Sequence, residues 1–286
     1  MSNSNIPIQK HGFYLIDKPP GPTSRQAMMA ALPEKRMKAG IEGILDPFAS
    51  GLLVVATGPY TRFFDFFAGL EKEYLATLQL GSETDTLDSE GEITKEAPVH
   101  NYAEENIEQA MASFRGEISQ IPPVYSNAKV QGKTARSRVR RGEKIALAPR
   151  QVLIHRLTLE EVADKQIIFR CSVGRGTYIR SLARDLAIKL GTVGHLVQLR
   201  RTSIGHLRVE EAQAPEDATV RDEKQVLAHI RELGLSKEES QAIRHGRRFQ
   251  STAADDIYRL YDEDSFLGLG KVAGGQMRPW RLLPTQ

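Results

Sequence analysis

An α+β fold follows from three features of the sequence. Four strand-like apolar runs, residues 13–16, 52–56, 74–80 and 167–173, are interleaved with two segments of helical spacing, 103–113 and 178–190. A tail of short strands punctuated by Gly246, Gly268, Gly270, Gly274 and Gly275 follows. At 286 residues the chain accommodates one large domain and one small one.

Taken in order, the most informative stretch is 43–53, Gly-Ile-Leu-Asp-Pro-Phe-Ala-Ser-Gly-Leu-Leu. Pro47 biases Asp46 away from helical geometry, and Gly43 and Gly51 permit close backbone approach on either side. The run 52–56 then reads as a buried strand. An acid fixed in a loop beside a buried strand suits a nucleophile, whereas an isolated Asp-Pro more often only bonds its own backbone in a turn. Run 74–80 alternates in polarity. Cys171 alternates with Phe169 and Val173 and reads as a buried structural thiol. In 178–190, Ile179, Leu182, Ala183, Leu186 and Leu190 line one side, and Arg180 and Arg184 share another. Residues 124–149 read as a basic insertion bounded by prolines, with a composition compatible with disorder in the free protein. Beyond Pro215 a charged helix is expected over 222–232.

The charge is informative through its distribution. The net value is only +3, yet residues 129–150 hold eight Lys or Arg against the single Glu143. A second basic set comprises Arg175, Arg180, Arg184, Lys189, Arg200 and Arg201, while 83–117 is acidic. Such asymmetry predicts one face for a polyanion and another left in water. No run of 18 apolar residues exists, and the first seven residues lack a signal-peptide core. One cysteine and scattered histidines argue against a disulfide, a thiolate zinc cluster or a metal enzyme, and fit a reducing cytoplasm. No nucleotide-binding glycine loop is present.

Six motifs in order carry a family resemblance. They are 12–24 (Gly-Phe-Tyr-Leu-Ile-Asp-Lys-Pro-Pro-Gly-Pro-Thr-Ser), the Asp46 stretch, Lys72-Glu73-Tyr74 with 81–91 (Gly-Ser-Glu-Thr-Asp-Thr-Leu-Asp-Ser-Glu-Gly), 122–126 (Pro-Pro-Val-Tyr-Ser), 176–182 (Gly-Thr-Tyr-Ile-Arg-Ser-Leu) and 195–202 (His-Leu-Val-Gln-Leu-Arg-Arg-Thr). This set closely resembles the TruB-type tRNA pseudouridine synthases. The resemblance implies a mixed, largely antiparallel sheet with flanking helices over 1–215, with 124–149 as a thumb that orders over RNA. It implies a small β-rich, PUA-like RNA-binding domain over 216–286. The implied activity is isomerisation of uridine to pseudouridine, U55 in the T arm of tRNA being the leading target, in the cytoplasm, by a monomer with no cofactor and no obligate protein partner.

It also implies roles. Asp46 is the expected nucleophile, Arg180 its ion-pair partner, and Tyr74 a ring stacked on the base with a phenol able to relay the C5 proton. Tyr178 and Leu199 are expected in the same pocket. Lys18 is expected either to support the active-site loop or to meet a phosphate. Lys129, Lys133, Arg136, Arg138, Arg140 and Arg141 of the thumb are expected to neutralise phosphates when the uridine is flipped out. Asp85 and Asp88 read as turn residues without a catalytic part.

The chain departs from the family pattern at 40–43, where Gly-Ile-Glu-Gly replaces Gly-His-Thr-Gly, and at Arg136, where a tyrosine is usual. Ile41 neither hydrogen-bonds nor stacks as an imidazole does, and Glu42 is expected to set an anion near the RNA backbone. These changes keep open two alternatives: a pseudouridine synthase for another RNA hairpin, or an RNA-folding factor whose catalysis is dispensable.

Overall fold

The computed structural model describes residues 11–34, 36–130 and 132–284. The reading of the first seven residues lies outside them. β1 (Phe13–Lys18) leads to α1 (Ser24–Ala31), where Thr23 and Gln26 form a reciprocal capping box. β2 (Ala39–Glu42) and β3 (Ser50–Thr57) flank the Asp46 loop. A 3-10 helix, Gly58–Phe66, precedes β4 (Lys72–Leu80) and the hairpin of β5 (Ser82–Thr84) and β6 (Ile93–Glu96). Next come α2 (Glu104–Ala112) and β7 (Gly116–Gln120). The basic insertion carries β8 (Lys129–Val130), β9 (Lys133–Thr134) and α3 (Ala135–Val139). β10 (Arg150–Ala163), β11 (Gln166–Val173), α4 (Ile179–Lys189), β12 (Gly194–Ile204) and β13 (Leu207–Arg208) complete the large unit. The tail holds α5 (Glu223–Val226), β14 (Arg231–Leu235), α6 (Lys237–Arg244), β15 (Phe249–Gln250), β16 (Asp256–Asp262), β17 (Ser265–Ala273) and β18 (Gln276–Leu282).

The nine-stranded sheet runs β1-β3-β12-β4-β11-β10-β7, with β2 beside β3 and β13 beside β12. Its one parallel pairing joins β12 to β3; the others are antiparallel. This is the mixed, largely antiparallel sheet that was expected. β1 and β3 are buried on both faces. Tyr14, Ile16, Leu53 and Val55 enter a core covered by α1, α2 and α4, while Phe13, Leu15, Leu52, Val54 and Ala56 enter a second core with Tyr60, Phe63 and Phe67. Two-sided burial is why these strands read as continuous apolar runs. β4 buries Tyr74, Ala76, Leu78 and Leu80 on one face and pairs Glu73 with Arg156 and Arg170 on the other, hence its alternation.

The C-terminal unit is a five-stranded sheet of order β14-β16-β17-β18-β15, the small β-rich domain expected. Leu269 and Phe266 join it to the second core, with Phe266 5.7 Å from the Phe63 ring. One expectation needs correction. The helix over 222–232 is the four-residue α5 only, because Val226, Leu227 and Ile230 turn into the second core and Arg231–Leu235 pairs with β16. The thumb holds defined structure: Ala128 and Ala135 are buried, and the Thr134 hydroxyl accepts from Ser137 N–H to cap α3.

Candidate active site

The Asp46 loop is gripped at alternate residues. The Ser24 hydroxyl accepts from Leu45 N–H at 2.8 Å and donates to Leu45 O at 2.7 Å. Lys18, 0% exposed, donates to Pro19 O, Pro47 O and Ala49 O at 2.9, 3.0 and 2.6 Å. Arg201, also fully buried, donates to Leu52 O and Gly43 O, both at 2.7 Å. Gly51 has φ +106°, and a Cβ there would lie 2.2 Å from Arg201 O, so β3 meets β12 only through a glycine. Burial lowers the pKa of Lys18 to about 8, against the opposing pull of Glu90 and Asp46. Glu90 is moved the other way, upward, by burial first and then by Asp88 and Asp46.

Above this loop opens a cleft of about 430 Å³. Four parts of the sheet meet there: Asp46 before β3, Tyr74 near the start of β4, Tyr178 and Arg180 where β11 passes into α4, and Leu199 in the middle of β12. The α4 entry is fixed by Gln120, which accepts from Tyr178 N–H at 2.9 Å and donates to Tyr178 O at 3.2 Å. Arg180 Nη2 stands 3.0 Å from Asp46 Oδ2 and 2.9 Å from Tyr125 O. Its Nη1 donates to Thr86 O at 2.6 Å and to Asp88 Oδ2 at 3.0 Å. Asp88 also accepts from the Thr86 hydroxyl and from Glu90 N–H, so a buried cation is enclosed by ion pairs and carbonyls. Arg136 Nη2 reaches the other carboxylate oxygen of Asp46, Oδ1, at 3.1 Å.

The structure thus brings Asp46, Tyr74, Tyr178, Arg180, Leu199 and Arg136 to one cleft and sets Lys18 beneath it. For Lys18 the geometry fits loop support and leaves no donor for a phosphate. Lys129, Lys133, Arg140 and Arg141 lie outside the cleft on the exposed thumb. Arg141 and Arg138 both pair with Glu143. Arg136 turns to the Asp46 carboxylate and stays partly exposed. The second basic set forms no continuous basic face: Arg180 and Arg201 are buried, Arg184 pairs with Asp185, and Arg200 makes a fork to Asp17. Nor is the acidic stretch all in water, since Glu83 and Asp88 are buried. Glu42 lies 3.7 Å from Lys72 in the cleft wall, and Ile41 packs on the first core. Burial lowers the Lys72 pKa, with Glu42 opposing. Sequence reasoning missed Asp88 as the partner of Arg180 and Ile44 as a 52% exposed side chain at the cleft mouth. For Asp88 the signal was its place between Thr84, Thr86 and Gly91, a density of polar turn residues beyond what a hairpin needs.

Comparison with known proteins identifies the family. Residues 30–179 match the family model described as TruB family pseudouridylate synthase (N terminal domain), and residues 232–283 match pseudouridine synthase II TruB, C-terminal. A tRNA pseudouridine synthase B of Aromatoleum aromaticum is 39% identical over 96% of this chain and 93% of its own length. The protein of the same name from Aquifex aeolicus is 35% identical over 95% of this chain and 99% of its own. The archaeal box H/ACA sRNP Nop10-Cbf5 complex contains a chain similar in fold, with TM-score 0.66 and 22% identity over 96% of this chain and 87% of that one. The chain belongs to the TruB family of pseudouridylate synthases.

Proposed function

We propose that this protein isomerises a uridine of tRNA, U55 of the T arm, to pseudouridine, with Asp46 as nucleophile. The observation that carries the reading is a carboxylate at the floor of a cleft, bracketed by arginines and walled by Tyr74 and Tyr178, in a chain matched nearly end to end by enzymes of that name. The reaction breaks N1–C1′, turns the uracil and joins C5 to C1′; C5 loses its proton and N1 takes one up, so atoms balance without an oxidant or a hydrolytic water. Arg180 aims the Asp46 carboxylate; Tyr74 stacks on the base; Tyr178 and Leu199 close the walls. The target lies inside a folded T arm, so it is flipped out first, at a cost of a few kcal/mol of stacking. Residues 1–215 are assigned to the catalytic unit, with 124–149 as the thumb, and 216–286 to a second RNA-holding unit. The partner is tRNA alone, bound by a monomer without cofactor.

The test is tritium release from C5-labelled uridine in an unmodified tRNA transcript, followed by sequencing of the product. Release by the native protein, none by Asp46→Asn, and pseudouridine at position 55 are expected. Equal release by both proteins would remove Asp46 from the chemistry. Modification at another hairpin would retain the reaction and change the substrate.

A further inference from the structure

Two guanidiniums hold the Asp46 carboxylate, and they are built differently. Arg180 is 4% exposed and is committed as well to Asp88, Thr86 O and Tyr125 O. Arg136 belongs to the thumb, its side chain is 31% exposed, and among the described residues its guanidinium bonds Asp46 alone. The helix that presents it is tied to the cleft wall by Ala135 N–H to Ala128 O at 2.8 Å and Arg136 N–H to Ser126 O at 3.0 Å. Arg180 takes Oδ2 and Arg136 takes Oδ1, so both oxygens of the nucleophile are covered in the free protein.

A carboxylate that acts on uridine needs the reacting atom within about 3–3.5 Å of one of its oxygens. At Oδ1 a guanidinium nitrogen already stands at 3.1 Å. Arg180 is not the one to yield, since its departure would strand buried Asp88 and two carbonyls without their cation. Arg136 leaves nothing else unpaired. A half-exposed ion pair is also weak enough to exchange, and a planar guanidinium fork suits phosphate as well as carboxylate.

We propose that Arg136 is an exchangeable counter-ion of the nucleophile. In the free protein it covers Oδ1; when RNA binds, a phosphate beside the flipped uridine takes the guanidinium, uncovering Oδ1 and drawing the thumb over the RNA. The inference rests on Asp46 being the nucleophile. It gives the site a safeguard: Oδ1 of the carboxylate is open to reactants only when a polyanion stands at the thumb, while Arg180 keeps Oδ2. This chain has the device because an arginine occupies position 136.

Two readouts test it, neither requiring turnover. In the free protein, amide exchange over residues 132–141 is compared for wild type, Arg136→Gln and Asp46→Asn. Both variants should exchange faster there by a similar factor, with β4 and β11 unchanged as the control for folding. Binding of an unmodified tRNA transcript is then measured against salt for Asp46→Asn and for Asp46→Asn combined with Arg136→Gln. The double variant should lose about 0.7–0.9 from the slope of log K against log salt, one phosphate contact. Unchanged thumb exchange in the variants, or an unchanged slope, overturns the proposal. Tritium release by wild type is scored separately, so an absence of isomerisation is distinguished from a failure of the exchange.

Discussion

The Lys18 ammonium donates to three carbonyls beneath Asp46, and burial lowers its pKa to about 8. Unfolding returns the amine to its ordinary pKa of 10.5, so the unfolded chain binds more protons than the folded chain between pH 8 and pH 10.5. Unfolding free energy should accordingly rise with pH across that window, by up to about 3 kcal/mol. The burial penalty is fully present at pH 7. Activity should move the opposite way, because a neutral amine has two N–H groups for three carbonyls. Urea unfolding at pH 7 and pH 10, with tritium release alongside, tests both signs; in Lys18→Met the stability increment should shrink, leaving the part contributed by buried Lys72. The same variant should lose about a hundredfold in rate at pH 7, the scale of a 1 Å misplacement of the carboxylate. At this scale Asp46, Tyr74, Tyr178 and Arg180 were legible because each sits in a local motif, the last two in the same one. Asp88 was not, since the partner that gives it meaning is 92 residues away. Lys18 stayed ambiguous for the same reason: its acceptors on Pro47 and Ala49 belong to another strand connection.

Among the elements, β3 and α4 were readable and β12 was not. β3 is an unbroken apolar run because both its faces are buried. α4 repeats its apolar side chains at helical spacing against the first core. β12 lies between β3 and β4 in the sheet, yet its sequence, Gly-His-Leu-Val-Gln-Leu-Arg-Arg-Thr-Ser-Ile, has neither pattern. Register shifts between Leu196 and Gln198, and again between Arg201 and Ser203, break its alternation. Its buried Arg201 looks like a surface residue until its acceptors, Gly43 O and Leu52 O, are in place. The join between β3 and β12 has a strict requirement at Gly51, where a methyl would meet backbone atoms of Arg201 and the φ of +106° already disfavours a side chain. Gly51→Ala should destabilise the fold by about 3 kcal/mol or more, or abolish soluble expression. Thermal unfolding would check this, with Gly234→Ala as the comparison, since a Cβ there meets nothing within 4 Å and should cost far less.

Across the whole molecule, the sequence overstated the basic surface, because a count of arginines cannot distinguish those that hold the protein together from those that face a ligand. Arg180, Arg184, Arg200 and Arg201 each have internal partners. Within the thumb, Arg138 and Arg141 share Glu143. Lys144, Arg150, Arg175 and Lys189 stay exposed, and so, on the segment that also carries Arg136 to the cleft, do Lys129, Lys133 and Arg140. If these three meet RNA phosphates, each contact releases counterions on binding. Replacing all three with alanine should then reduce the slope of log K against log salt by about 2–3. Arg200→Ala should alter the slope far less, because its guanidinium is held by Asp17 at 2.6 and 3.0 Å. Equal slopes for the triple variant and wild type would place the RNA on another surface. A steep loss for Arg200→Ala would mean that the Asp17 fork opens when RNA arrives, and that the outward set is larger than the free protein presents.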